Sequence, residues 1–178
     1  MTDTNSSGPV ASPSSRRVAV YSGTFDPLTL GHEDVLRRSS LLFDEVVLAV
    51  ARAHHKNTRF TLQERMDMAR QVVQTWPTGA RVRVEPFDGL IMDFCREQGA
   101  CAVIRGIRNM SDFDYELQMA AMNRKLNPAV ETVFLVPQAD LQCISSTLVR
   151  EIAKLGGDVS QMVSPSVQDS LNAPKVQA

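Results

Sequence analysis

Gly23-Thr24-Phe25-Asp26-Pro27-Leu28-Thr29-Leu30-Gly31-His32 is the stretch on which the reading of this chain turns. It follows a short apolar run, Val18-Ala19-Val20-Tyr21, that breaks at Ser22-Gly23 and so predicts a buried strand. It leads into a segment in which Val35, Leu36, Leu41 and Leu42 recur at roughly helical spacing, predicting a helix from about Gly31 to Leu42. A strand, a glycine-bearing turn and a helix start in succession form the junction at which an open α/β sheet holds anionic ligands. Gly23 lets backbone approach a ligand, Pro27 stiffens the loop, and Gly31 leaves room beside the helix start. His32 falls in the first helical turn, where the dipole favours anions and an imidazole can donate to a phosphate oxygen.

The alternation continues outward. Val46 to Ala51 predicts a second strand. Thr61-Leu62-Gln63-Glu64 has the form of a capping box and opens a helix ending near Trp76-Pro77. Arg81–Glu85 predicts a strand, Leu90–Gln98 a helix, and Ala102–Ile104 a fourth strand. Ser111 is the expected N-cap of a helix reaching Leu126, with Asp112 and Asp114 in its first turn. Thr132–Val136 predicts a fifth strand, Ser146 caps a helix through Lys154 stopped by Gly156-Gly157, and a last helix lies between Ser166 and Asn172. Short apolar strands alternating with helices predict one α/β domain, residues 16–172, built on a doubly wound, five-stranded parallel sheet. Residues 1–15 and 173–178 read as tails.

Composition narrows the function. The chain has 178 residues, 22% charged, with a net charge of −1, which argues against a protein that works by neutralising a nucleic-acid backbone. No apolar run approaches the roughly 18 residues that span a bilayer, and the N-terminus lacks signal-peptide character, so a cytoplasmic protein is expected. Cys95, Cys101 and Cys143 have no metal-ligand spacing and sit in apolar runs, which predicts buried free thiols. The loop has neither a Walker A lysine nor GxGxxG, which excludes the P-loop and argues against a dinucleotide-binding oxidoreductase.

Several residues admit two readings. Arg105 and Arg108 leave a buried strand, where a cation needs an anion: a ligand, or an ion pair with Asp112, Asp114 or Glu116. Ser145, Ser146 and Thr147 form either a helix cap or a phosphate site. Lys56, in a polar loop, is by itself an ordinary solvated lysine, and no role is assigned to His54 or His55. Met66, Met68, Met119 and Met122 read as core or interface filler, and Trp76 as packing at a helix end.

The opening segment resembles the GxFDPxxxGH signature of the nucleotidyltransferase superfamily, with Thr29-Leu30-Gly31-His32 as its T/HxGH tetrad. Arg105-Gly106-Ile107-Arg108, Asp112-Phe113-Asp114-Tyr115-Glu116, Met122-Asn123-Arg124 and Ile144-Ser145-Ser146-Thr147-Leu148-Val149-Arg150-Glu151 narrow this to a resemblance to bacterial phosphopantetheine adenylyltransferases, over about Arg17 to Leu171. The resemblance implies a Rossmann-like fold and direct transfer of AMP from ATP to 4'-phosphopantetheine, giving dephospho-coenzyme A and pyrophosphate. It implies that His32 stabilises the reacting phosphate and that Thr24 contacts both substrates. Lys56 and Arg105 would hold the acceptor, with Leu90 and Ile91 along the pantetheine arm. Phe25, Gly106, Ile107, Arg108, Glu116, Ile144, Ser145, Ser146 and Thr147 would line the ATP site. Magnesium carried by ATP, a homohexamer and coenzyme A as a feedback ligand are implied too. Leu141-Gln142-Cys143 stands where the family commonly has an aromatic residue, Thr147 replaces a serine, and Arg52-Ala53-His54-His55 is unusually basic. Relatives that share the GxFDP start act on other acceptors, such as nicotinamide mononucleotide, or use CTP. A nucleotide-binding regulator without catalysis would be expected to lack His32 or Lys56.

Overall fold

The computed structural model describes residues 16–52, 57–77 and 81–173. Five strands, β1 (Val18–Gly23), β2 (Glu45–Ala51), β3 (Val82–Phe87), β4 (Ala102–Gly106) and β5 (Glu131–Leu135), form one sheet in the order β3-β2-β1-β4-β5. Every neighbouring pair is parallel; in the centre Val20 stands beside Val47 on one side and Val103 on the other. The helices α1 (Leu30–Leu42), α2 (Leu62–Gln74), α3 (Ile91–Glu97), α4 (Met110–Leu126), α5 (Ser146–Lys154) and α6 (Pro165–Asn172) provide the crossovers and the C-terminal cover. The strand order reverses between β1 and β4, which places a crevice at the carboxyl ends of those two strands.

Period-two alternation divides each central strand between two cores. Ala19, Tyr21, Val46, Leu48, Val50 and Ile104 face the larger one, with Val35 and Leu36 of α1, Ala69 and Val72 of α2, Val149 of α5 and Val167 and Leu171 of α6. Val18, Val20, Val47, Ala49 and Val103 face the smaller one, under Met92, Phe94 and Cys95 of α3. Buried on both faces, the central strands are apolar through their middles, with polar residues such as Ser22, Glu45 and Arg105 at their ends.

Element ends differ from expectation where capping chemistry decides. Asn109, not Ser111, caps α4, its side chain accepting from the Asp112 amide at 2.9 Å. Ser145, not Ser146, caps α5, accepting from the Leu148 amide at 3.2 Å. α2 stops at Gln74. β3 runs on through Pro86, which an edge strand tolerates because no neighbour needs its missing N–H. At Gly156, φ +77, the left-handed turn ends the preceding helix as expected.

Burial sorts the apolar residues, and for two cysteines it corrects the expectation of a buried thiol. Leu41 is 84% exposed and Leu42 is also exposed, because α1 packs through Val35, Leu36 and Ser39. Only Cys95 is buried; Cys101 and Cys143 lie at the surface. Met66 and Met68 are core, whereas Met119 and Met122 stand exposed on α4. Trp76 is buried, with the Arg37 guanidinium 4.6 Å above its ring.

Candidate functional site

A cavity of about 390 Å³ opens at the crevice between β1 and β4. Its walls come from the loop after β1, the starts of α1 and α5, the end of β4, the first turns of α4, and Asn57 and Thr58 after β2.

The loop after β1 is held by groups outside it. Phe25 has φ 48, a left-handed backbone that costs free energy for a bulky residue and persists only where its surroundings enforce it. Arg65, fully buried in α2, donates to the Thr24 carbonyl at 2.6 Å, to Ala51 O at 2.8 Å and to Phe60 O at 3.2 Å. Arg150 of α5 donates to the Asp26 carbonyl. The buried Asp26 carboxylate accepts from the Arg59 amide at 2.8 Å and the Phe60 amide at 3.0 Å. So fixed, the Phe25 ring stands edge-on to Tyr21 at 5.3 Å and to His32 at 5.2 Å.

The two loop glycines serve packing. A Cβ on Gly23 would sit 2.9 Å from the Phe25 ring, so this glycine, itself in the cavity lining, makes room for an aromatic side chain. A Cβ on Gly31 would meet the Leu141 carbonyl at 3.3 Å; the loop before α5 packs against one side of the start of α1, and Gly31 also lines the cavity.

His32 is the third residue of α1, and Thr29 is its N-cap. The Thr29 amide lies 3.1 Å from His32 Nδ1, and the Thr29 hydroxyl 3.0 Å from it. A backbone N–H can only donate, so Nδ1 is an acceptor and the ring proton sits on Nε2. Burial, and secondarily the Arg108 charge, depress the imidazole pKa to about 4. His32 therefore meets the cavity as a neutral ring with a single N–H to give.

Both arginines form ion pairs within the chain and still line the cavity. Arg105 makes a bidentate pair with Glu116, 2.7 and 2.5 Å, and donates to Ser22 O at 2.9 Å. Arg108 pairs with Asp112 at 2.9 and 3.2 Å. All four side chains border the cavity, so each guanidinium is preorganised beside it. The lining arginines Arg105, Arg108 and Arg150 face as many lining carboxylates, Asp26, Asp112 and Glu116. Among the described residues, further positive character comes from the amino-terminal ends of α1 and α5. Ser145 is spent on its cap, Ser146 Oγ donates to Pro27 O at 2.8 Å, and Thr147 Oγ1 lies 3.4 Å from Arg150; all three line the cavity.

Of the residues singled out in the sequence, Thr24, Phe25, His32, Arg105, Gly106, Arg108, Glu116, Ile144, Ser145, Ser146 and Thr147 converge on this cavity. Ile107 is buried and bonds its amide to Leu135 O, outside the lining. Leu90, exposed as the N-cap of α3, and Ile91 do not border it either. Lys56, His54 and His55 lie outside the described residues. Sequence reasoning passed over Asp26, Arg65 and Arg150. The signal for Arg65 was a cation in register with Ala69 and Val72 on the apolar stripe of α2.

The sequence model of the Cytidylyltransferase-like family matches residues 20–152. The phosphopantetheine adenylyltransferase of Acidovorax sp. (strain JS42) is 58% identical over 154 residues, 86% of this chain and 92% of the relative. That of Azoarcus sp. (strain BH72) is also 58% identical, over 86% of this chain and 93% of the relative. In architecture the chain is similar to the nicotinic acid mononucleotide adenylyltransferase of Plasmodium falciparum, with TM-score 0.67 at 15% identity, covering 88% of this chain and 95% of the other. The last likeness bears on the fold alone, a nucleotidyltransferase-like α/β sheet. Identity at this level across nearly the whole domain decides the matter more finely: this chain belongs to the phosphopantetheine adenylyltransferase family.

Proposed function

We propose that this chain is an enzyme that transfers the adenylyl group of ATP to 4'-phosphopantetheine, giving dephospho-coenzyme A and pyrophosphate, the penultimate step of coenzyme A biosynthesis. The observation that carries the reading, beside the family, is a neutral N–H donor at a helix start in the same cavity as two preorganised arginines. Such an array suits a phosphoryl centre that gains negative charge in the transition state.

An oxygen of the acceptor phosphate attacks the α-phosphorus of ATP; the bond to the bridging oxygen breaks and pyrophosphate leaves with the electron pair. The acceptor phosphate is already anionic near neutrality, so no strong base is required, and catalysis consists of positioning and charge stabilisation. His32 Nε2–H donates to a non-bridging oxygen of the α-phosphate. The amides at the start of α5 take the departing phosphates, Arg105 and Lys56 hold the acceptor, and Thr24 contacts both substrates. The transfer is direct, without a covalent enzyme intermediate.

Magnesium would supply charge neutralisation on the triphosphate. The cavity carboxylates suit a metal carried by ATP oxygens and water, since Asp26 holds backbone amides while Asp112 and Glu116 hold arginines.

A homohexamer and cytoplasmic location belong to the same reading. Tyr115, Met119, Met122 and Leu126 form an exposed apolar stripe on α4, which supports contact with further copies. No helix among the described residues is long and apolar enough to cross a membrane. Coenzyme A would compete for the cavity as a feedback ligand.

The experiment is pyrophosphate release from ATP and magnesium, with phosphopantetheine and nicotinamide mononucleotide offered separately. Release with phosphopantetheine alone supports the reading. Release only with the mononucleotide would replace the acceptor, and silence with both would leave a nucleotide-binding regulator.

A further inference from the structure

α6 touches the site from behind at both of its ends. At its entrance, the Leu30 amide, the first of α1, donates to Met162 O at 2.9 Å, and Glu33, next to His32, lies buried beside Ser164, the N-cap of α6. At its far end, Arg59 Nη2 donates to Leu171 O at 2.6 Å. The last turn of α6 holds no basic residue, so Arg59 brings a cation to carbonyls that its own helix leaves without one. The Arg59 guanidinium also lies over the buried Phe60 ring, 5.6 Å from its centre. Its backbone amide is the one bound to Asp26, and its chain neighbours Asn57 and Thr58 form a wall of the cavity.

We infer that α6 is a strut setting the separation between the His32 wall and the Asn57–Thr58 wall, with Arg59 as the positioning residue that fastens its far end. Val167 and Leu171 anchor the helix in the main core, so it is a rigid member and not a loose tail. Without the Arg59 bond, residues 57–60 lose their tie to α6 and keep the backbone hold on Asp26 and the Arg65 bond to Phe60 O. The wall then gains freedom in the segment that directly follows Lys56 in sequence, a residue to which the proposed function assigns the acceptor, while the start of α5 and the arginine pairs keep their own supports.

The kinetic part of the test rests on that proposed function; the exchange part does not. Full-length wild type, Arg59→Met and Arg59→Lys are compared for the KM of each substrate and for amide exchange at residues 57–62 and 168–173. The Met variant is expected to raise the KM for phosphopantetheine about tenfold, since small misplacements of a positioned group carry such costs. The KM for ATP should move less than about twofold, and both segments should exchange faster in the variant. Lysine, which can still donate to Leu171 O, should restore most of the loss. A wild-type protein inactive with phosphopantetheine would defeat the functional reading and leave the exchange data to judge the strut. An active wild type matched by Arg59→Met in both KM values, or unchanged exchange in both segments, would overturn the inference. So would equal losses for both substrates without rescue by lysine.

Discussion

His32 Nδ1 accepts a hydrogen bond from the Thr29 amide at 3.1 Å, so the catalytic candidate doubles as half of a helix cap. In the usual capping box a glutamate or glutamine reaches back to the N-cap amide; here an imidazole does, while the Thr29 hydroxyl receives the His32 amide at 3.4 Å. The arrangement fixes the ring, its tautomer and the direction of its remaining proton through the amide and hydroxyl of one residue, Thr29. A donor locked before substrate arrives needs little reorganisation during reaction.

The His32 ring should stay neutral far below the ordinary histidine range. With a folded pKa of about 4 against 6.5 unfolded, its contribution to folding is intact above pH 6.5 and lost as pH falls through 4. Nitrogen-resolved NMR of the imidazole should show an Nε2–H tautomer that does not titrate between pH 8 and 5.5. A His32 midpoint near 6.5 would contradict this environment.

Replacing the ring tests its chemical role. His32→Ala should keep ATP binding but lower kcat by a factor equivalent to about 3 kcal/mol, the usual loss for one preorganised donor to developing charge. Thr29→Val should cost about 1 kcal/mol of stability through the lost cap and also lower kcat, because the ring loses its hydroxyl partner. Denaturant melts alongside steady-state rates separate the two effects. An unimpaired kcat in His32→Ala would remove the residue from the mechanism.

Glu33 should weaken the fold at neutral pH. Its Oε1 is buried without a hydrogen-bond partner, and burial lifts its pKa, against the opposing pull of the Ser164 hydroxyl and the Arg37 charge. A raised folded pKa means stability that is present below the unfolded value near 4.5 and declines as pH rises. Glu33→Gln should therefore raise Tm at pH 8 by about 2–4 °C, the shift expected for about 1 kcal/mol at this chain length. The gain should shrink toward pH 4; a pH-independent difference would point to packing instead of charge.

Glu116 holds Arg105 in place before any substrate binds. Glu116→Gln keeps the shape but removes the charge, and should cost about 2 kcal/mol of stability, as for a hydrogen bond to a charged partner. It should also impair turnover by freeing the guanidinium. Calorimetry and kcat/KM on the same variant check both parts, and loss of stability with full activity would confine the pair to folding.

The fold was legible because parallel strands buried on both faces leave long apolar runs and because Gly156-Gly157 and the Thr61–Glu64 box mark helix ends by known chemistry. Leu41 and Leu42 keep helical spacing in α1 yet lie exposed, since spacing alone does not say which face of the helix meets the sheet. The convergence of residues from β1, β4 and α5 was legible from their place at strand ends and helix starts. Their partners were not. Whether Arg105 meets Glu116 or a ligand depends on how α4 lies over β4, a tertiary relationship that spacing does not contain. The Asp26 latch joins residues 33 positions apart, and the Arg59 bond spans 112, beyond any local pattern.

The most direct test of the central claim follows the label of ATP. The protein is incubated with magnesium, phosphopantetheine and ATP labelled at either the α- or the γ-phosphorus. Direct adenylyl transfer puts α-label in dephospho-coenzyme A and γ-label only in pyrophosphate, both requiring the acceptor; γ-label in the acceptor product, or no transfer at all, would contradict it.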